Sequence, residues 1–219
     1  MLEILSIAIN RLFYGDKVLL QDIHLQVDRG ERILIMGATG SGKSSLLSTM
    51  NLMNQNYEGK ILLAGKNIIE YQPDVLRSKI CMVMQEPYLE DALVQEVLDT
   101  PLKYSALKHK RLPNRQEEII NLFNAFQLPT EYLNKNTAQL SGGEKQRIAL
   151  IRVLQLKPDI LLLDEITSAL DQKTSGIISD CIFNNFAGTV IAISHDPLWQ
   201  NRWQRNWLLE NGKIIDRRI

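Results

Sequence analysis

The chain has 219 residues, enough for one large α/β domain or two small ones, and its 25 Lys and Arg balance 25 Asp and Glu to a formal net charge of +0. Without a net field, the composition gives no reason to expect nucleic acid or an acidic membrane as a partner. Two cysteines, Cys81 and Cys181, lie far apart in apolar segments and read as buried reduced thiols, not as a metal knuckle or a disulfide framework.

The N-terminal MLEILSIAINRL lacks the basic and apolar regions of a signal peptide. No apolar run approaches the roughly 20 residues that a transmembrane helix needs. The protein is therefore expected to be cytoplasmic and to reach a membrane only when a partner docks it there.

In chain order, residues 2–9 alternate in polarity and predict a strand, Phe13, Tyr14 and Gly15 a turn, and Val18–Leu20 with Ile23–Val27 further strand closed at Asp28, Arg29 and Gly30. This front section reads as an antiparallel layer. An apolar run, Ile33–Met36, then enters a loop with glycines at 37, 40 and 42, after which Lys43 and Ser44 open an apolar helical stretch. Strand, loop and helix carry the spacing GxxxxGK[ST]. Glycines leave backbone N–H groups free to point inward, and the helix dipole adds positive potential, so the segment predicts a phosphate cradle. Gly37, Ala38, Thr39, Gly40, Ser41, Gly42, Lys43, Ser44 and Ser45 are its candidate nucleotide-binding residues. Lys43 is expected on the outer phosphates as a point charge, and the Ser44 hydroxyl on Mg²⁺.

Next come an expected strand at Gly59–Ala64, a turn at Gly65, Lys66 and Asn67, a strand at Ile68–Ile69, a short helix near Pro73–Arg77, and an apolar run, Ile80–Met84, ending at Gln85. From about 88 to 157 the pattern is helical. Leu93, Val94, Val97 and Leu98 predict a short helix that Pro101 stops or bends. Asn114 is expected to cap a helix over 114–126, and another covers 143–156. The section reads as a helical subdomain inserted into a single domain, 1–219, whose core is 1–87 and 158–219. The charges at Lys103, Lys108, His109, Lys110, Arg111 and Arg115 read as a solvated loop, or else as a surface near lipid headgroups or an acidic partner. The α/β pattern resumes with a strand buried on both faces at Ile160–Leu163, a helix over 174–186 and a strand at Thr189–Ile193. Trp199, Trp203 and Trp207 recur at i, i+4 and i+8 and are assigned to packing, with strand beginning at Trp207. Asn211–Gly212 predicts a hairpin turn.

Two further segments carry chemistry. ILLLDE, 160–165, ends a buried strand in two carboxylates. Asp164 stands where a Mg²⁺–water ligand belongs after a phosphate loop, and Glu165 where a base could polarise an attacking water. LSGGEKQR, 140–147, sets Ser141, Gly142 and Gly143 before a helix, a second anion-binding N-terminus. One nucleotide does not need two such sites from one chain.

LSGGEKQR together with the phosphate loop resembles the motif set of the ATP-binding cassette (ABC) ATPases, over essentially the whole chain. The resemblance implies an α/β phosphate-loop NTPase core with an antiparallel β layer and an inserted α-helical subdomain. It implies ATP as substrate and Mg²⁺ as cofactor. Tyr14 is similar to the family's adenine-stacking aromatic, and Gln85 to the glutamine that senses γ-phosphate and Mg²⁺. SALD, 168–171, resembles the loop facing the partner subunit, and His195 the switch histidine at the γ-phosphate; from its residues alone His195 would read as a strand-end histidine. The family's two anion sites are used by two cassettes packed head to tail, so a homodimer or a pair of similar chains is implied, with ATP held between them. Ile166 stands where many members have proline, which leaves Asp164 and Glu165 in place. The stretch from Leu128 to Asp171 looks closest to ATPase subunits of the Fet (YbbL-like) type, which implies an integral-membrane permease encoded separately, docked along the Gln85 loop and 86–98, with iron or metal export as cargo. Amino-acid or phosphate import and a soluble non-transport ATPase in DNA repair or at ribosomes are the other readings.

Overall fold

The computed structural model describes residues 2–104, 107, 114–200 and 202–218, apart from the side chains of Leu198 and Gln200. Lys108, His109, Lys110 and Arg111 of the charged segment lie outside the described residues.

In chain order the elements are β1 (Glu3–Tyr14), β2 (Lys17–Asp28), β3 (Arg32–Gly37), α1 (Lys43–Thr49), β4 (Tyr57–Leu63), β5 (Lys66–Asn67), α2 (Pro73–Lys79) and β6 (Ile80–Val83). After them come α3 (Val94–Asp99), α4 (Arg115–Ala125), α5 (Gly142–Leu154), β7 (Ile160–Asp164), α6 (Gln172–Asn185), β8 (Thr189–Ile193), α7 (Pro197–Gln200), β9 (Arg205–Glu210) and β10 (Lys213–Arg218). An antiparallel sheet runs β2-β1-β4-β5, and a second sheet runs β10-β9-β3-β8-β7-β6 with all pairs parallel except β10 on β9.

The two sheets obey different burial patterns for a simple reason. β1 alternates, burying Leu5, Ile7, Ile9 and Leu12, because it is covered on one face. β3, β7 and β8 are covered on both faces and read as unbroken aliphatic runs. Their successive side chains feed two different cores. Ile33, Ile35, Ile160, Leu162, Ile191 and Ile193 join the antiparallel sheet, Leu46 and Leu47 of α1, and Met50 just after it. Leu34, Leu161, Leu163, Val190 and Ala192 join α3, α4, α5 and α6 on the other face. The helices between β6 and β7 thus close one side of the parallel sheet and the antiparallel layer the other. No helix among the described residues is long and apolar enough to cross a membrane.

Several boundaries differ from the sequence expectation. Phe13 and Tyr14 stay in β1, paired with Val18 and Lys17, and β2 runs unbroken, because the partner strand supplies bonds that local turn propensity ignores. Ile68 and Ile69 form a 3₁₀ turn, not a strand: the hairpin turns earlier, at Ala64 and Gly65 with φ 49° and 81°, and Asn67 accepts from the Ile69 N–H at 3.4 Å. Asn114 occupies the cap position of α4 but at φ 59° with no side-chain cap bond; Glu117 and Glu118 serve the helix dipole instead. Gly142 and Gly143 are the first two residues of α5, not its approach, because Ser141 itself is the cap. The tryptophans part company: Trp199 and Trp203 enter the helical-side core, while Trp207, in β9, enters the other. The Asn211–Gly212 turn joins β9 to β10 with φ 51° and 73°, as the sequence predicts.

Candidate functional site

β3 delivers the chain into the phosphate loop at Gly37, whose φ is 148°. A Cβ there would lie 2.7 Å from the Leu209 carbonyl oxygen and 2.9 Å from Ser41 Oγ, so β9 excludes any side chain. Gly42, at φ 98°, caps α1 without a side chain, which leaves the first N–H groups of the helix open to an anion. Ser41 Oγ is buried with no protein partner, an unspent hydroxyl inside the cradle. Lys43 is buried and folds over the loop, its Nζ donating to the Gly37 and Ala38 carbonyls at 2.9 and 3.0 Å.

Asp164 ends β7 next to this loop because β7 lies one strand from β3, across β8. Ser44 Oγ donates to Asp164 Oδ1 at 3.0 Å. Burial first, with the Glu165 charge adding to it, pushes the Asp164 carboxyl above the usual carboxylate range, against the Ser44 bond and the Lys43 charge. A hydroxyl and a carboxylate are hard oxygen donors, and one or two carboxylates plus substrate phosphates are how Mg²⁺ is ordinarily held. The donor set fits that ion, although among the described residues no group of three or more His, Cys, Asp or Glu forms a self-sufficient metal cage.

Glu165 follows at φ 48°, a strained conformation for a non-glycine residue, held by its N–H to the Ile193 carbonyl at 3.0 Å. It sits at the junction of two clefts. One, of about 360 Å³, is lined by Tyr14, Leu19, Gly40, Lys43, Ser44 and Ser45 among others. The second, of about 330 Å³, is lined by Thr167, Ser168, Gln172, Ser194 and His195 among others. His195 Nε2 lies 3.7 Å from Glu165 Oε1. Gln85 Nε2 donates to Ser168 Oγ at 3.0 Å, which places Gln85 against the 168–171 loop; it lines neither cleft. Tyr14 stands exposed at the rim, beside Lys17 and Leu19. Those two neighbours were missed from sequence; only the Tyr14–Lys17 pairing of β1 with β2 brings them there.

Ser141, Gly142 and Gly143 line neither cleft. Ser141 caps α5 in a reciprocal box: Glu144 N–H donates to Ser141 Oγ at 3.4 Å and Ser141 N–H to Glu144 Oε2 at 2.7 Å. Tyr132 donates to Glu144 Oε1 at 2.8 Å. Burial opposes ionisation of Glu144, but these hydrogen bonds outweigh it and hold the carboxyl below its usual range. Both cysteines are buried, and burial pushes the Cys181 thiol up to about 11, so Cys181 offers no nucleophile.

The sequence model of the ABC transporter family matches residues 20–168. The chain is 36% identical over 188 residues to the "Probable iron export ATP-binding protein FetA" of Escherichia coli K12, covering 83% of this chain and 80% of that protein. It is 34% identical over 206 residues to the "Phosphate import ATP-binding protein PstB" of Saccharolobus solfataricus, covering 89% of this chain and 79% of that one. Among solved structures, cbiO1 from Clostridium perfringens, part of the cbiONQ transporter complex, superposes with a TM-score of 0.81 at 26% identity, covering 98% of this chain and 88% of that one. An ATP-binding cassette in a dimeric post-hydrolysis state with ADP and Pi gives the same TM-score, 0.81, and covers 98% of both chains. A phosphate loop, a carboxylate pair at the end of β7, one strand away across β8, and these likenesses together settle the matter: the chain belongs to the ABC transporter family and is an ATP-binding, ATP-hydrolysing transporter subunit.

Proposed function

We propose that this chain is the motor of a transporter, pairing with a second copy of itself around ATP and Mg²⁺ and driving a separately encoded membrane permease. The observation that carries this reading is the split of the site. The phosphate loop, Ser44 and Glu165 line one cleft, with Asp164 bonded to Ser44 behind it, while Ser141–Gly143 open a helix outside it. A second copy supplies the missing anion-binding terminus, and the dimeric ADP–Pi cassette supports that arrangement.

In this mechanism Gly37–Ser45 bind the phosphates through backbone N–H groups and Lys43 neutralises their charge. Ser44 and Asp164 would hold Mg²⁺, with Gln85 joining them on closure. When bound, the ion neutralises charge developing on the transferred phosphoryl group. Glu165 takes the proton of the attacking water, and His195 orients the γ-phosphate. Tyr14 stacks on the base. Loss of the γ-phosphate removes the contacts bridging the copies, so hydrolysis opens the pair.

The permease face is assigned to the surface that follows Gln85. Met84, Tyr88 and Leu93, in or next to that segment, are exposed apolar side chains; the groove of about 620 Å³ between Asn51, Met53, Arg77, Pro101, Tyr104 and Val153 is lined by no residue of 85–98 and is not part of this face. Metal export is the cargo the FetA likeness favours; the PstB likeness, at 34% against 36% identity, supports phosphate import as the second reading.

Affinity capture of the tagged chain from membranes of its own source tests the assignment. Co-purification of one integral-membrane permease is expected; ribosomes or DNA-repair proteins in its place overturn it. Transport of iron against phosphate by the reconstituted pair then separates the two cargo readings.

A further inference from the structure

His195 is carried on a short loop between β8 and α7, and its side chain is 62% exposed, so its aim depends on the backbone beneath it. Hydrogen bonds of Asp196 shape that backbone. Asp196 N–H donates to Ser194 Oγ at 3.1 Å, closing a tight turn around His195. Asp196 Oδ2 accepts the hydroxyl proton of Ser175, a side chain on α6 that is 1% exposed. The Asp196 carbonyl then receives the Trp199 N–H at 3.0 Å, and Trp199 packs edge-on against Phe183 of α6 with ring centroids 6.0 Å apart. α6 is itself fixed at its start, where Asp171 accepts from Thr174 N–H and Oγ1 at 2.9 and 2.8 Å. The loop bearing His195 is therefore referenced to α6 and the 168–171 loop, while Glu165 is referenced to β8 through Ile193.

We infer that Ser175 and Asp196 are positioning residues that hold His195 in register with Glu165. The inference rests on the role proposed above for His195. A buried hydroxyl spends its hydrogen on Asp196, and without that acceptor it would be left unpaired. Without the hydroxyl, the loop keeps its turn and the Trp199–Phe183 packing but loses the direct side-chain bond of Asp196 to α6, and displacements near 1 Å at a reacting group can cost on the order of 10²-fold in rate.

The test is steady-state phosphate release with Mg-ATP on the full chain. Ser175→Ala is expected to lower kcat about tenfold with KM for ATP unchanged, since Ser175 and Asp196 do not line the phosphate cleft. Asp196→Ala, cut from the less buried side of the same bond, is expected to fall at least as far, since Asp196 has further interactions, and the double variant to fall no further than Asp196→Ala alone. Asp196→Asn, which keeps an oxygen acceptor for Ser175, is expected to retain most of the rate. In a His195→Ala background, Ser175→Ala is expected to leave the residual rate unmoved, an outcome a general folding defect would not give. Full kcat in Ser175→Ala beside a crippled His195→Ala, or a further drop of the residual rate in that background, overturns the positioning role. Full turnover by His195→Ala alone overturns the catalytic reading of His195 instead.

Discussion

The Ser44 hydroxyl donates to the Asp164 carboxylate at 3.0 Å, tying the first turn of α1 to the end of β7 across 120 residues of chain. Neither residue has a local reason to meet the other. The strand order β3-β8-β7 brings them together, and the same bond lies where a hard cation and a phosphate oxygen would compete for both partners.

The raised pKa of Asp164 has a stability consequence in the nucleotide-free protein. Because the folded-state pKa lies above the unfolded value, the fold is unpenalised at low pH and loses stability as pH climbs from about 3.9 through the folded-state value. Asp164→Asn keeps an oxygen acceptor for Ser44 and removes that loss. Its melting temperature without nucleotide is expected to exceed wild type at neutral pH and to converge with it in acid. Added Mg-ATP should raise the melting temperature of wild type more than that of the variant. Melting curves at several pH values check both.

Glu165→Gln keeps the shape of the side chain and deletes its basicity. kcat is expected to fall about 10²- to 10⁴-fold, the usual contribution of a positioned base, while ATP binding persists. An ATP-bound dimer should accumulate on size exclusion. Normal steady-state turnover would sink the base assignment.

Lys43→Ala removes a buried ammonium that now bonds the Gly37 and Ala38 carbonyls and would turn to phosphate. A hydrogen bond to a charged group contributes about 1.5–3 kcal/mol, so ATP affinity is expected to weaken about 10- to 100-fold in calorimetric titration.

Gly37→Ala tests the cradle from the backbone side. The new Cβ meets the Leu209 carbonyl at 2.7 Å, in a backbone region that costs other residues roughly 1–3 kcal/mol. For a chain of this size that corresponds to a fall of several degrees, at about 2–4 °C per kcal/mol, and nucleotide binding should be lost with it. An unchanged melting temperature would show that the loop relaxes around the methyl group.

The phosphate loop was legible in the sequence because its physics is local: glycines at 37, 40 and 42 permit a turn, and Lys43 and Ser44 follow at fixed spacing on one helix. The apolar runs Ile33–Met36, Ile160–Leu163 and Thr189–Ile193 announced strands, Ile160–Leu163 one covered on both faces, and Asn211–Gly212 announced a hairpin, for the same reason. The errors fell where a distant partner outweighed local propensity, as at Phe13 and Tyr14, which β2 keeps in the sheet, and at Ile68, buried in a 3₁₀ turn. Motif spacing also could not say that Gln85 rests on Ser168, that Glu165 takes a left-handed backbone held by Ile193, or that Ser175 ties down the loop of His195. Sequence by itself determined which side chains carry charge, hydroxyl or imidazole and which short segments bend around phosphate. Only the tertiary structure decided which of them meet, because those contacts are set by strand order and helix packing over separations that no local pattern encodes.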